Sequence, residues 1–164
     1  MLRIRTVTDA DSRLLWEWVN DPEVRSASFH SDVIPWEEHV AWFRKKRADP
    51  NCHIYILVGE GGRPVGQVRL NVQAGDSAEV AISIAPNQRG RGQGVEALRL
   101  ACGRLFETTG VKRIVAYVKP ENMASIRLFE KTRFVRQGDE WVAGHKAMKM
   151  ILDRSHWPEI VEDT

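Results

Sequence analysis

Three glycines stand at alternate positions between a β-branched stretch and an apolar pattern of helical period. Ile82–Ile84 close the β-branched stretch, and the helical pattern begins at Val95. Alternating glycines let a backbone approach a bulky anion closely, and a helix N-terminus adds about half a positive charge. The stretch therefore predicts a pyrophosphate cradle, whose members are Arg89, Gly90, Arg91, Gly92, Gln93 and Gly94.

Two common phosphate-binding motifs differ from this stretch. A Walker A loop has a lysine directly after its last glycine, whereas Val95 follows Gly94. A Rossmann fingerprint would require a further glycine at the position of Val95, and it follows an early strand of a parallel sheet. The Gln88–Gly94 stretch instead resembles the acyl-CoA loop of the GCN5-related N-acetyltransferases.

A second stretch, downstream at the expected distance, supports the same resemblance. Asn122–Phe134 is similar to the family motif Asn-x-x-Ser-x-x-Leu-Tyr-Glu-Lys-x-Gly-Phe. The resemblance implies acetyl-CoA as co-substrate, no metal, and direct attack of an amine on the acetyl thioester. It also implies a set of cofactor contacts: Ile82, Ser83, Ile84, Arg89, Gly90, Arg91, Gly92, Gln93, Gly94, Val95, Asn122, Ser125 and Phe129.

Two residues depart from the family motif. Phe129 stands where the family often has a tyrosine that protonates the leaving thiolate, so Tyr117 and Ser125 become candidates for that role. Arg133 replaces the glycine before the last motif phenylalanine, which predicts a different turn there. Asn122 also fits a helix N-cap, and capping and cofactor binding can coexist.

The reaction requires a base for the amine and a hydrogen-bond donor for the thioester oxygen. A splayed strand can supply the donor through a backbone N–H near Ile82–Ile84. Glu79 is the predicted base, because it shares a strand face with Ser83 and several family branches place a glutamate on this strand. Its alternative is a surface carboxylate. His39 is the rival base, and its alternative is a solvated helix-face histidine.

The N-terminal third is expected to select the acceptor. Trp16–Arg25 and Ile34–Phe43 resemble the branch that acetylates nucleotide-linked 4-amino-4,6-dideoxy sugars, as in pseudaminic acid biosynthesis, with Val19 and Pro35 as departures. The resemblance implies a small-molecule amine acceptor, an amino sugar. The predicted acceptor site combines aromatic rings for stacking, a cation for phosphate and hydrogen-bonding groups for the sugar. Its residues are Trp16, Arg25, Trp36 and His39.

Alternative functions stay open at this stage. Similar Trp-rich openings occur in relatives that acetylate protein N-termini or aminoglycosides. An acyl-CoA-binding domain without turnover is a further alternative, which Phe129 favours and an intact Glu79 opposes. Trp18 and Trp42 have packing in the core as their alternative role.

The elements that must position these residues follow from the period of the apolar pattern. Strands are predicted near 2–7, 53–58, 64–72, 79–84, 113–118, 134–137 and 146–152, and helices after Asp9, after Pro35, after the glycine loop and at 122–131. This order predicts an α+β fold, a three-layer α/β/α domain resembling that of the family, with a central mixed, mostly antiparallel sheet. One acetyltransferase domain is expected over 1–154, with an acidic C-terminal tail over 155–164.

Composition limits the partners. The chain has 164 residues, and 24 Lys+Arg against 22 Asp+Glu give a net charge of +2, which does not indicate nucleic-acid binding. Two cysteines and five histidines show no metal-site spacing. No apolar run is as long as a membrane span, and no secretion signal opens the chain, so a cytoplasmic protein without membrane association is expected. A homodimer is compatible with the sequence.

Overall fold

The fold is described from a computed structural model, which describes residues 2–157. A seven-stranded mixed sheet is flanked by helices on both faces, as the sequence predicts. The strands are β1 (Arg3–Thr6), β2 (Cys52–Val58), β3 (Pro64–Gln73), β4 (Ser77–Ile84), β5 (Arg113–Val118), β6 (Val135–Val142) and β7 (His145–Asp153). The helices are α1 (Ser12–Val19), α2 (Pro22–Ala27), α3 (Trp36–Ala48), α4 (Gln93–Thr108) and α5 (Met123–Lys131).

The strand order is β1-β2-β3-β4-β5-β7-β6, and β4 and β5 form the parallel pair in an otherwise antiparallel sheet. Their register is short: Ser77 pairs with Arg113, and the pairing ends where Glu79 meets Val115. Beyond that point β4 continues for five residues beside β3. The two strands therefore diverge and open a fork in the middle of the sheet.

Each face of the sheet has its own core. Helix α4 packs its buried face, which includes Leu98 and Leu105, against one side of the central strands. On the other side, Leu15 and Trp18 of α1 and Phe43 of α3 pack on β2. Since alternate residues of a strand point to opposite faces, the odd-numbered residues of β4, and those of β3 from Gln67 onward, point toward α1 and α3.

Helix α2 is an element that the sequence prediction missed. Helix α1 ends at Val19, and Pro22 then occupies the first turn of a new helix that runs to Ala27. Proline is favoured at that position because its fixed φ matches the helix and the missing N–H is not needed there. The segment that connects α2 to α3 consequently covers residues 28–35.

The C-terminal part also differs from the prediction. Strands β6 and β7 are longer than expected and form a hairpin whose turn, Ala143-Gly144, has φ of 49° and 78°. Trp157, which the prediction includes in the tail, packs on Phe106, with ring centroids 5.8 Å apart. Residues 158–164 lie outside the described residues. Within the described part, no helix is long and apolar enough to cross a membrane.

The turn at Arg133, which the sequence predicts to differ from that of the family, places a residue with a side chain in a conformation that favours glycine. Arg133 is left-handed, with φ of 73°. A residue with a Cβ in that conformation is strained by about 1 to 2 kcal/mol relative to glycine. Its side chain is exposed and forms no ion pair with any residue between 2 and 157.

Replacing Arg133 with glycine is therefore expected to stabilise the protein. Relief of the strain exceeds the extra chain entropy that glycine gives to the unfolded state, which leaves a net gain of about 0.5 to 1 kcal/mol. Thermal unfolding of Arg133→Gly should show a midpoint higher by roughly 1 to 3 °C. A midpoint at or below that of the unmodified protein would contradict the assignment of strain to this residue.

Candidate active site

The fork between β4 and β5 exposes backbone donors. Ala85 donates its N–H to the Val65 oxygen of β3, at 2.8 Å, so the odd-numbered residues of β4 bond to β3. In an antiparallel ladder alternate residues point their amides to opposite sides, which directs the N–H groups of Ile82 and Ile84 toward β5. Among residues 2–157 the β4–β5 register ends before them, so both amides face the fork.

The glycine loop leads from the end of β4 into α4. Gly90 and Gly92 have φ of 77° and 72°, and a Cβ on either would meet no atom within 4 Å. Their lack of side chains thus leaves open space above the backbone at the helix start. Gly94 has a different role, because a Cβ there would lie 3.0 Å from Leu128, and it lets α4 pack closely on α5.

The predicted cofactor residues differ in whether their polar groups are free to bind a phosphate-bearing molecule. Gln93, in the first turn of α4, has a buried Oε1 without a hydrogen-bond partner in the described chain, and this acceptor suits an N–H donor of a bound molecule rather than its phosphate oxygens. Arg89 forms ion pairs with Asp21 and Glu23, so much of its charge is used to join the loop to α2. Arg91 is exposed and does not line the cavity.

Helix α5 forms the other wall of the cofactor side. The Asn122 Oδ1 accepts a hydrogen bond from the Ser125 amide at 3.2 Å, so Asn122 is the N-cap and keeps its Nδ2 for another partner. Phe129 is buried and packs edge-on against Phe134 at 5.0 Å. Ser125 and Phe129 both line the cavity.

Glu79 stands at the closed end of the fork. It is half-buried on the face that points toward α1 and α3, and its Oε2 accepts a hydrogen bond from Gln73 Nε2 at 3.1 Å. Tyr117 of β5 lies on the same face. Burial, followed by the negative charge of Glu140, raises the pKa of Tyr117, so its hydroxyl stays protonated at neutral pH. Tyr117 and Glu79 both line the cavity.

Arg25 lines the cavity, but its donors are engaged within the chain. Its Nε donates to the Val19 oxygen at 2.7 Å, and its Nη1 donates to the His30 oxygen at 2.8 Å. Another Nη contacts Ser28 Oγ at 3.3 Å. This network fixes α2 and the segment after it to the end of α1. The structure thus gives Arg25 a scaffolding role beside the phosphate-binding role predicted for it.

The aromatic residues predicted for the acceptor form a cluster at the start of α3. Trp16 and Trp36 pack edge to face at 5.3 Å, and neither lines the cavity. Trp16 Nε1 donates to the Ile34 oxygen at 2.8 Å. These two tryptophans therefore support the loop before α3 rather than line the cavity in which an acceptor would bind.

His39 does line the cavity, although it is 3% exposed. Its Nε2 lies 2.9 Å from the Ser12 carbonyl oxygen, which only accepts, so Nε2 carries the proton. Burial lowers the pKa of His39, so the ring is neutral at physiological pH. The predicted solvated alternative for His39 is therefore wrong, because the ring is enclosed by aromatic neighbours.

Sequence reasoning missed Arg69 and Trp42 as cavity residues. Arg69 lies on β3, and its Cζ is 5.0 Å from the centre of the Trp42 ring of α3. Desolvation lowers the pKa of Arg69, and the nearby Glu79 charge acts in the opposite direction. The sequence alone does not indicate whether a cation on a strand with alternating polarity lines a cavity. The surface that covers its face of the sheet depends on the order of the strands.

One cavity of about 1310 Å³ joins all these parts. It runs from the glycine loop and α5, through the fork, to Glu79, Arg69 and Trp42. Except for Arg91, every predicted cofactor residue lines it. In residues 2–157, no group of three or more His, Cys, Asp or Glu side chains is placed to hold a metal ion.

Three features together define an acyl-CoA-dependent acyltransferase. They are a strand fork whose backbone amides face the gap, a glycine loop at the start of a helix, and a carboxylate at the closed end of the fork. The model of the acetyltransferase (GNAT) domain family matches residues 1–135, and the chain belongs to this family. It is an N-acetyltransferase that uses acetyl-CoA, and the glycine loop with the orphaned Gln93 oxygen fits that co-substrate.

Similar proteins agree on the fold and differ in acceptor. Acetyltransferase PseH from Campylobacter jejuni is 25% identical over 139 residues, which are 82% of this chain and 85% of that protein. The structure of spermidine N-acetyltransferase from Vibrio cholerae with CoA and spermine has a TM-score of 0.86 at 22% identity and covers 95% and 97% of the two chains. An aminoglycoside acetyltransferase bound to coenzyme A has a TM-score of 0.82 at 22% identity, with 94% and 96% covered.

Proposed function

We propose that this enzyme transfers the acetyl group of acetyl-CoA to the amine of a nucleotide-linked amino sugar. The observation that carries the proposal is the cation Arg69 in the acceptor half of the cavity, which forms no ion pair within residues 2–157. The other basic lining residues lie mostly on the cofactor side, beside the glycine loop and α5: Arg89, Lys119, Arg127 and Lys131. Glu23 is already paired with Arg89.

The cation in the acceptor half discriminates between the acceptor classes. Polyamines and aminoglycosides are polycations, and placing one beside Arg69 would bring like charges together. A nucleotide-linked sugar carries phosphates, which basic side chains attract. The relative PseH, named as an acetyltransferase, supports the same branch that Trp16–Arg25 and Ile34–Phe43 resemble.

The fork supplies the chemistry of the transfer step. The Ile82 and Ile84 amides are placed to donate to the thioester oxygen, where negative charge develops as the amine attacks. Glu79 accepts the proton of the amine. Because strands rise about 3.3 Å per residue, Glu79 is about 10 Å along β4 from Ile82, and this spacing leaves room for the amine and a relaying water.

An acceptor panel tests the proposal. Purified protein with acetyl-CoA is offered UDP-4-amino-4,6-dideoxy-N-acetylglucosamine, spermidine, kanamycin and an alanine-starting peptide, and the release of free thiol is followed. We expect kcat/KM for the nucleotide sugar to exceed the others by about two orders of magnitude, since matching and mismatching charges in a shielded cavity differ by several kcal/mol. A higher kcat/KM for any of the other three acceptors would refute the proposed acceptor.

A further inference from the structure

Arg69 is a cation in the acceptor half of the cavity whose charge no carboxylate neutralises at close range. No Asp or Glu oxygen between residues 2 and 157 lies within 4.0 Å of its nitrogens, and its Nε is buried without a hydrogen-bond partner in that part of the chain. Burying a guanidinium with unused donors is costly unless a partner is supplied. The fold therefore keeps an unsatisfied cation next to the reacting groups.

The surroundings of Arg69 fix its position without using its donors. The Trp42 ring lies 5.0 Å from the Arg69 Cζ, and a ring face attracts a cation but offers no acceptor oxygen for its N–H groups. Arg69 pairs with Ala81 in the β3–β4 register, and Asn71 pairs with Glu79. Arg69 and Glu79 are thus diagonal neighbours on one face, with Cα atoms about 7 to 8 Å apart.

The cavity arginines on the same side of the fork as α2 are already engaged: Arg25 donates to backbone oxygens and Arg89 pairs with two carboxylates. Arg127 lines the cavity from α5, on the cofactor side. Arg69 is different, because Trp42 holds its guanidinium in place in the acceptor half and its donors have no hydrogen-bond partner within residues 2–157. A guanidinium fork matches two oxygens of one phosphate in a bidentate contact.

We propose that Arg69 is the specificity residue of the acceptor site and binds a phosphate of the nucleotide that carries the amino sugar. This inference rests on the proposed function, and it adds the group that is recognised and the residue that recognises it. Ala81, the register partner of Arg69, directly precedes Ile82 of the fork. A sugar ring thereby spans the space between the phosphate at Arg69 and the amine at the fork.

The test measures nucleotide binding and acceptor preference on the full chain. UDP is titrated calorimetrically into protein saturated with CoA, so that the glycine loop is already occupied. Arg69→Met is expected to weaken UDP binding by about tenfold or more, because a charged hydrogen bond is lost. The ratio of kcat/KM for the UDP-linked sugar to that for the same amino sugar without nucleotide should fall by a similar factor.

Matched variants separate recognition from structure. Arg13 also lies over a tryptophan, 5.8 Å from the Trp16 ring, but outside the cavity, so Arg13→Met should bind UDP like the unmodified protein. Arg69→Lys should retain part of the affinity, since it keeps the charge without the fork. Acetyl-CoA affinity should be equal in all variants.

The outcomes for the two proposals are distinguishable. If the amino sugar is acetylated and Arg69→Met leaves both UDP affinity and the acceptor ratio unchanged, the role of Arg69 is refuted and the proposed acceptor stands. If spermidine is the preferred acceptor but UDP still binds in an Arg69-dependent manner, the phosphate site stands and the proposed acceptor fails. Equal loss of UDP binding in Arg13→Met and Arg69→Met would refute a specific site at Arg69.

Discussion

Replacing Glu79 with glutamine should lower kcat at neutral pH by about two orders of magnitude, the usual lower range for the loss of a general base. Glutamine has nearly the same shape and can still contact Gln73, which bonds to Glu79 Oε2 at 3.1 Å. The backbone amides of Ile82 and Ile84 are untouched, so acetyl-CoA affinity should stay unchanged. The loss then appears in the chemical step.

The pH dependence of kcat gives a second measurement for the same variant. With Glu79 as the base, a bound ammonium is deprotonated within the site, so kcat of the unmodified enzyme should depend only weakly on pH near neutrality. In Glu79→Gln, kcat should instead follow the deprotonation of the amine itself and rise toward higher pH. Steady-state kinetics between about pH 6 and pH 9.5 measure this rise.

Glu17→Gln is the matched control. Glu17 is exposed on α1 and does not line the cavity. Its kcat and pH profile should match those of the unmodified enzyme. A Glu79→Gln variant with an unchanged pH profile would move the role of base to His39, whose neutral ring also lines the cavity, or to bulk water.

The cofactor half of the site was predictable because its signals are local. A strand, a glycine loop and a helix follow one another directly in the chain, and Gly90 and Gly92 do adopt the left-handed conformation that only glycine takes without strain. The cap at Asn122 is likewise decided within four residues. Such features depend on neighbours in sequence and need no knowledge of the fold.

The acceptor half was less predictable because it depends on distant contacts. Arg25 looked free for a phosphate, but carbonyls at Val19 and His30 take its donors. Arg69 looked like an ordinary polar strand residue, and it lines the cavity because β3 lies beside β4 and α3 covers that face. The sequence pattern assigned Trp157 to the tail for the same reason, because its contact partner, Phe106, lies far from it in the sequence.

Replacing Gly92 with valine should raise the dissociation constant of acetyl-CoA by about tenfold or more, because valine fills the open space above the loop and blocks close approach of a phosphate group. Gly92 directly precedes α4 with φ of 72° and ψ of 6°, and no atom of residues 2–157 lies within 4 Å of a Cβ at this position. Calorimetric titration of the folded variant measures the change.

The substitution also strains the backbone, and Gly61 provides the control for that effect. Gly61 has φ of 68° and ψ of 14°, its Cβ position is equally open, and it lies in the turn before β3, outside the cavity. Both valine variants should lose a similar stability, about 1 to 2 kcal/mol, in thermal unfolding. Only Gly92→Val should lose acetyl-CoA affinity. If both bind acetyl-CoA as tightly as the unmodified protein, the phosphate cradle is not at this loop; if both lose affinity equally, strain rather than blocked approach is the cause.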